Sequence, residues 1–328
     1  MVKSYVDILR KTAAYRESRV LTSAIELDIF TQLGDKSLSA DKLAHKTNTL
    51  RDGLEILLNA LSGMGLLKKN NNLFSNTDLS LKYLNASSSE SITNYLWLAA
   101  QNWNQWCDLT KVIQGKADKN KALGTENPEL KKRFSLAVNE RSLQVIPKLL
   151  QHIHVGSAKS LLDLGGGDGS YSFAILEKNP QLRVTIFDRP YMITAAMLRA
   201  FDKGVITKIK LVAGDFFKDD FGGPHDIVFL SNIIHIFGAA ENKRLLEKIT
   251  KALNAGGKLL IVDRFLEDDK TNPPEAAFFT VELFLRTDSG RCYSWSDVIH
   301  WLKAVGYSGF RCTRIDESAG MLDARMAS

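Results

Sequence analysis

Between residues 5 and 33, Ile8, Leu9, Val20, Leu21, Ile25, Ile29 and Leu33 recur at three- and four-residue spacing. That period predicts one or two amphipathic helices, stopped by Gly34. Ser39 opens a short helix over Asp41-Lys42-Leu43-Ala44. Thr49-x-x-Asp52 has the form of a capping box ahead of Leu54, Leu57, Leu58 and Leu61. The two helices have helix-turn-helix spacing. Gly63 to Phe74, with asparagines at 70, 71 and 72, reads as strand, turn and strand. Residues 1–90 are therefore expected to form a winged-helix unit.

From 91 to 155 the pattern is helical, with aromatic interludes at Tyr95, Trp97, Trp103, Trp106 and Phe134, and reads as a connector. Beyond 156 it changes to short apolar runs alternating with helices: Ser160–Leu164, Arg183–Asp188, Lys208–Ala213, Asp226–Asn232 and Lys258–Asp263. This alternation predicts an α/β domain, doubly wound around a mostly parallel sheet. At 328 residues the chain exceeds one ordinary domain, which agrees with that division.

Composition narrows the class. With 45% hydrophobic and 24% charged residues the chain is an ordinary globular one. Cys107, Cys292 and Cys312 form no C-x-x-C pair, so neither a disulfide framework nor a metal site is expected, and a reducing compartment fits. The N-terminus has no signal-like apolar stretch, and the run Ile227–Phe237 is broken by Ser231, Asn232 and His235. It falls short of the roughly 20 residues that span a bilayer, so a cytoplasmic protein without a membrane partner is expected. The net charge of +6 is spread along the chain. The second helix of the N-terminal unit offers Arg51, Asp52, Glu55 and Asn59, a balanced set that cannot neutralise DNA phosphates. A packing or dimerisation role is expected there, with no nucleic-acid partner.

The strongest local signal is Leu161-Leu162-Asp163-Leu164-Gly165-Gly166-Gly167-Asp168-Gly169, a strand entering a glycine-rich turn and then a helix. Glycines such as Gly165 and Gly167 can take positive φ and let a ligand lie against backbone N–H groups at a helix N-terminus, where anions are favoured. The dinucleotide fingerprint G-x-G-x-x-G fails in either register, because its third position falls on Ser170 or Ser172. D-x-G-G-G-x-G instead fits the first motif of S-adenosylmethionine-dependent methyltransferases, with the amino acid carboxylate as the anion. Asp188 ends the next strand about 20 residues on, the spacing at which an acid accepts both ribose hydroxyls. Asp215 and Phe216 follow the third strand, a carboxylate for the adenine amino group and a ring to cover the base.

These stretches, with Phe187-Asp188-Arg189-Pro190, Gly214-Asp215-Phe216-Phe217, Leu230-Ser231-Asn232-Ile233-Ile234-His235, Leu253-Asn254-Ala255-Gly256-Gly257-Lys258 and Gly290-Arg291-Cys292-Tyr293-Ser294, resemble the small-molecule O-methyltransferase family that includes caffeate, hydroxyindole, and bacterial polyketide and carotenoid enzymes. The resemblance covers essentially the whole chain. It implies a seven-stranded sheet closed by antiparallel strands near Phe310–Ile315 and Met321–Met326, and a homodimer formed through the N-terminal domain. It implies that Gly165, Asp188, Asp215, Phe216 and Ser231 line the cofactor site, with Ser142 reaching the carboxylate, and that His235 is the general base. Imidazole suits that task chemically, since the acceptor hydroxyl must lose its proton as it attacks the methyl group. Plant members orient this histidine with two acids; here Cys292 stands at the second position and Asp263 alone remains. The acceptor pocket is expected around Trp103, Phe134, Phe278, Phe279, Leu283 and Phe284, an aromatic wall suited to a flat phenolic ring. S-adenosylmethionine and its demethylated product are the expected ligands, without metal. C- or N-methylation, a non-methylating reaction on the same scaffold, and a winged-helix regulator that senses the cofactor are the alternatives.

Overall fold

The computed structural model describes residues 2–119, 128–317 and 319–327. These fall into two compact units, one made of residues 1–104 and 132–141, the other of 105–131 and 142–328.

In the first unit the amphipathic stretch forms three helices, α1 (Tyr5–Ala13), α2 (Tyr15–Glu26) and α3 (Ile29–Leu33). A two-residue strand β1 (Leu38–Ser39) leads into α4 (Ala40–Thr47), whose N-cap Ser39 accepts from the Lys42 N–H as expected. Helix α5 (Arg51–Gly63) buries Leu54, Leu58 and Leu61, spaced four and three residues apart on one face. Its start corrects the capping-box expectation: the N-cap is Leu50, without a side-chain bond, and the Thr49 hydroxyl pairs with that of Thr47 at 2.9 Å. Strands β2 (Leu67–Asn70) and β3 (Leu73–Asn76) are joined through the asparagine turn, with Asn71 left-handed, and β3 also pairs with β1. Phe30, Leu33, Leu43, Leu58 and Phe74 form the core. Helices α6 (Asp78–Tyr83) and α7 (Thr93–Gln101) follow; the buried Glu140 carboxylate accepts from the Asn94 and Tyr95 N–H groups and so caps α7. The expected exposed charges of α5 neutralise one another, because Arg51 pairs with both Asp52 and Glu55. Then come α8 (Trp103–Cys107), α9 (Leu109–Ile113) and α10 (Pro128–Leu149), and α10 contributes to both units.

The second unit is built on β4 (Ser160–Leu164), α11 (Ser170–Lys178), β5 (Arg183–Asp188), α12 (Pro190–Asp202), β6 (Ile209–Ala213), β7 (His225–Ser231), α13 (Ala239–Lys251) and β8 (Leu253–Asp263). Helices α14 (Pro274–Arg286) and α15 (Trp295–Ala304) and strands β9 (Tyr307–Arg314) and β10 (Gly320–Met326) complete it. The sheet order is β6-β5-β4-β7-β8-β10-β9, with β6 to β8 parallel and β10 antiparallel to both β8 and β9. Both faces are covered, which is why the central strands read as continuous apolar runs. Leu162, Leu164, Val228 and Leu230 pack on one face with α13 and α15, and Leu161, Ile227 and Phe229 on the other with α11 and α12. The connections reverse direction between β4 and β7, and crevices at such a switch point are where ligands bind.

Candidate active site

The parallel register aligns the carboxyl ends of five strands. Leu164 is level with Phe187, Asp188 with Ala213, and Ser231 with Val262. The loops that leave these ends therefore emerge along one edge, on both sides of the switch point.

The turn after β4 holds Gly165, Gly167 and Gly169 at φ of 78°, 59° and 83°, and ends at the N-terminus of α11. At Gly165 the requirement for glycine is also steric. A Cβ there would lie 2.3 Å from Cδ1 of Ile233 and 3.1 Å from Cζ of Phe216. The turn is tied down by the Gly165 N–H donating to the Phe187 carbonyl at 2.8 Å and the Gly167 N–H donating to Asp188 Oδ2 at 2.8 Å. Beneath it Asp168, almost fully buried, pairs with Arg199 of α12, and the Ser170 hydroxyl bridges the two. Asp163 is buried too: Oδ2 accepts from the Ser172 hydroxyl at 2.6 Å, while Oδ1 meets no donor among the described residues. Burial, with Asp188 and Asp168 nearby, pushes this carboxyl up to about 7.

Asp188 is pushed above the ordinary carboxylate range by burial, partly offset by the Arg189 and Gly167 N–H groups. Asp215 is exposed, and the Phe217 N–H that it accepts lowers its carboxyl. Phe216 is half-buried, stacked 6.1 Å from Phe187 and edge-on to Phe237 at 6.0 Å. Ser231 is buried at the end of β7, and Asn232 after it is left-handed at φ 58°. The residues fit S-adenosylmethionine: a glycine turn at a helix N-terminus for the carboxylate, Asp188 for the vicinal hydroxyls, and Phe216 beside Asp215 for adenine.

Across the switch point His235 sits on a 3₁₀ turn (Ile234–Ile236), 7% exposed. Its Nδ1 lies 2.6 Å from Oδ1 of Asp263, at the end of β8, and Asp263 is itself 2% exposed. Burial pushes the Asp263 carboxyl up, but His235, the Arg264 N–H bond of 2.7 Å and the Arg264 charge outweigh it and hold the group below the usual range. An ionised carboxylate only accepts, so Nδ1 carries the proton and Nε2 is the basic nitrogen. The turn is clamped from outside. Asn242 Nδ2, on the buried stripe of α13, donates to the carbonyls of Ile234 at 2.8 Å and Phe237 at 3.2 Å, and the Arg291 N–H donates to that of His235 at 2.9 Å. Phe279 of α14 meets the imidazole edge-on at 5.1 Å and also carries the Arg264 guanidinium over its ring, 3.8 Å from the ring centre. Burial raises the Cys292 thiol to about 12, so it stays neutral.

Thus Gly165, Gly167, Asp188, Asp215, Phe216, Ser231, His235, Asp263 and Phe279 all lie along the carboxyl edge of the sheet. Phe278 is 63% exposed, and Leu283 packs in a small core with Leu266, Ala276 and Cys292. Phe284 is exposed, with the Lys119 ammonium 4.3 Å from its ring centre. Ser142 is buried on α10, and Trp103 and Phe134 belong to the first unit. Asn242, Arg291, Arg199 and Ile233 were not anticipated. Ile233 and Arg291 stand in stretches that carry the resemblance but were given no role there, and Asn242 left a trace as a polar residue on the apolar stripe of α13. Among the described residues no group of three metal-ligating side chains and no helix long and apolar enough to cross a membrane is present.

Comparison with known proteins agrees with this fold. The profile of the O-methyltransferase domain matches residues 106–310, and that of the O-methyltransferase dimerisation domain matches 9–86. The tetracenomycin polyketide synthesis 8-O-methyl transferase of Streptomyces glaucescens is 27% identical, over 94% of this chain and 93% of that protein. Acetylserotonin O-methyltransferase of Gallus gallus is 25% identical over 97% and 95%. The structure of human N-acetylserotonin methyltransferase in complex with SAM superposes with a TM-score of 0.88 at 21% identity, covering 100% of this chain and 99% of that one.

Proposed function

Because this chain belongs to the O-methyltransferase family, we propose that it moves the methyl group of S-adenosylmethionine onto a hydroxyl of an aromatic or polycyclic small molecule, with His235 as general base. The observation that carries this reading is the His235–Asp263 pair, 2.6 Å apart and buried, across the switch point from the glycine turn. When bound, S-adenosylmethionine supplies an electrophilic methyl group on a sulfonium. Gly165 and Gly167 with the N-terminus of α11 would take its carboxylate, Asp188 the ribose, and Asp215, Phe216 and Ser231 the base side, with Ser142 as a further carboxylate contact. His235 Nε2 accepts the acceptor's hydroxyl proton as the oxygen attacks, and Asp263 holds Nδ1–H so that the lone pair keeps its direction. The resulting imidazolium lies against an ionised carboxylate, which stabilises it where charge develops.

Phe279, edge-on to the base, supports a flat aromatic acceptor, and the match to a polyketide enzyme points the same way. Phe278 and Leu283, on the same helix α14, are the remaining candidates for its walls. The first unit, which matches a dimerisation domain, is read as a winged helix that pairs two copies of the chain, 91–155 as the connector and 156–328 as the methyltransferase domain. A DNA-binding regulator is disfavoured by the internal pairing of Arg51 with Asp52 and Glu55. Incubation with methyl-labelled donor and a panel of phenols, hydroxyquinones and polyketide aromatics tests the reading. Label should appear as an O-methyl ether. Label on carbon or nitrogen, or an unlabelled product of changed mass, would replace O-methylation by another reaction.

A further inference from the structure

At the antiparallel side of the second unit's sheet, a cavity of about 190 Å³ is lined by His154, Lys258, Gly309, Arg311, Asp323 and Arg325. Lys258 precedes Asp263 by five residues on β8, so the cavity lies about 16 Å down the strand from the carboxyl edge, at about 3.3 Å per residue. It is separate from the methyl-transfer site.

The strand register leaves its charges unbalanced. Lys258 is directly opposite Arg325 across β8 and β10, and Asp323 is opposite Arg311 across β10 and β9. Like charges set opposite one another in an antiparallel pair destabilise it. The single carboxylate is already engaged, since Asp323 pairs with the largely buried Lys258 ammonium at 3.5 Å, and Lys258 also donates to the His154 carbonyl at 2.9 Å. Arg311 and Arg325 make no ion pair or side-chain hydrogen bond among the described residues. The ladder itself is irregular here: the β10–β9 register shifts between Asp323 and Arg325, opposite Gly309 at φ 65°. Two arginines on the same face of the sheet thus line one small cavity beside a fixed ammonium. Planar guanidinium forks match the oxygens of a phosphate two at a time, and an anion between them would turn mutual repulsion into attraction.

We propose that this cavity is a binding site for a phosphate group, either inorganic phosphate or the monoester end of a small metabolite. The cavity's volume suits one such group and not a whole nucleotide.

The test is calorimetric titration of the intact protein with inorganic phosphate and, separately, glycerol 3-phosphate, with chloride holding the ionic strength constant. Saturable binding with a Kd on the order of 1 mM or tighter is expected for at least one of them. Tighter binding of the monoester would identify an esterified ligand, and tighter binding of inorganic phosphate the free ion. Arg311→Ala and Arg325→Ala should each weaken that binding about tenfold, as loss of a charge-assisted contact does. Both side chains are exposed, so the variants should keep the fold, which unchanged affinity for S-adenosylhomocysteine would verify. Heats that never saturate, that chloride reproduces, or that persist in the double variant would reduce the effect to general screening and overturn the proposal.

Discussion

Removing the two halves of the His235–Asp263 pair, singly and together, asks whether they act as one device. General-base catalysis contributes about 10²- to 10⁴-fold, so His235→Ala should slow turnover by that factor at saturating donor and acceptor. Asp263→Asn keeps the shape but removes the charge from the 2.6 Å contact with Nδ1. A hydrogen bond to a charged group contributes about 1.5–3 kcal/mol, which at about 1.36 kcal/mol per decade is roughly a 10- to 150-fold loss in kcat. If Asp263 works only through the imidazole, the double variant should be no slower than His235→Ala alone, so the coupling equals the whole Asp263 effect. Stability should show the opposite order. His235→Ala strands an ionised carboxylate that is 2% exposed, at a cost of about 3–5 kcal/mol, part of which the neutral amide introduced by Asp263→Asn in the double variant should return. Rates on the best acceptor of the phenol panel, urea unfolding, and donor titration as a control measure all of this. The reasoning fails if His235→Ala stays within about tenfold of wild type with donor affinity intact, for then alignment alone carries the reaction. It fails equally if the two losses multiply.

Two other perturbations probe the glycine turn. Gly165→Ala adds a Cβ 2.3 Å from Ile233 at a φ of 78°, and left-handed backbone costs an L residue about 1–2 kcal/mol; calorimetry should find the donor bound at least tenfold more weakly, and an unchanged Kd would refute the cradle. Asp163, with its carboxyl raised to about 7, holds its proton in the folded chain while the unfolded chain has lost it above about pH 4. Folding stability should therefore fall as pH climbs from about 4 to about 7 and then level off. Asp163→Asn removes that decline, so its stability relative to wild type should rise by on the order of 3 kcal/mol between pH 5 and pH 8 in denaturant titrations. A difference independent of pH would contradict the burial argument.

The sheet could be read in advance because its information is local. The central parallel strands are short apolar runs covered on both faces, and candidate site residues stand within a few positions of the carboxyl ends: Gly165 after β4, Asp188 closing β5, Asp215 after β6, Ser231 closing β7. Capping was less legible. Whether Thr49 caps α5 depends on the backbone path out of left-handed Asn48, and that path makes Leu50 the N-cap and leaves the Thr49 hydroxyl to Thr47. Contacts between distant segments were least legible, since nothing local encodes them. Arg199 reaches Asp168 from 31 residues away, and Arg291 reaches the His235 carbonyl only through the fold of the loop before α15.

The missing second acid, already visible in the sequence as Cys292, is where the structure adds most. At the position that the resemblance matches to a second acid, Cys292 is buried and its thiol, raised to about 12, carries no charge at neutral pH. A single buried acid would leave the ring free to rock about one hydrogen bond if the backbone beneath it could move. Here main-chain bonds restrain it, because three carbonyls of that short segment are occupied: Ile234 by Asn242, His235 by the Arg291 N–H, and Phe237 by Asn242 and the Tyr293 hydroxyl. Gly290 closes against the same turn so tightly that a Cβ would come within 2.7 Å of the His235 carbonyl oxygen. Orientation that a second carboxylate would supply from the side-chain end is supplied from the main-chain end. The neutral thiol also places no like charge beside Asp263, and His235 with Arg264 holds that carboxyl below the usual range at 2% exposure, able to accept the Nδ1–H bond.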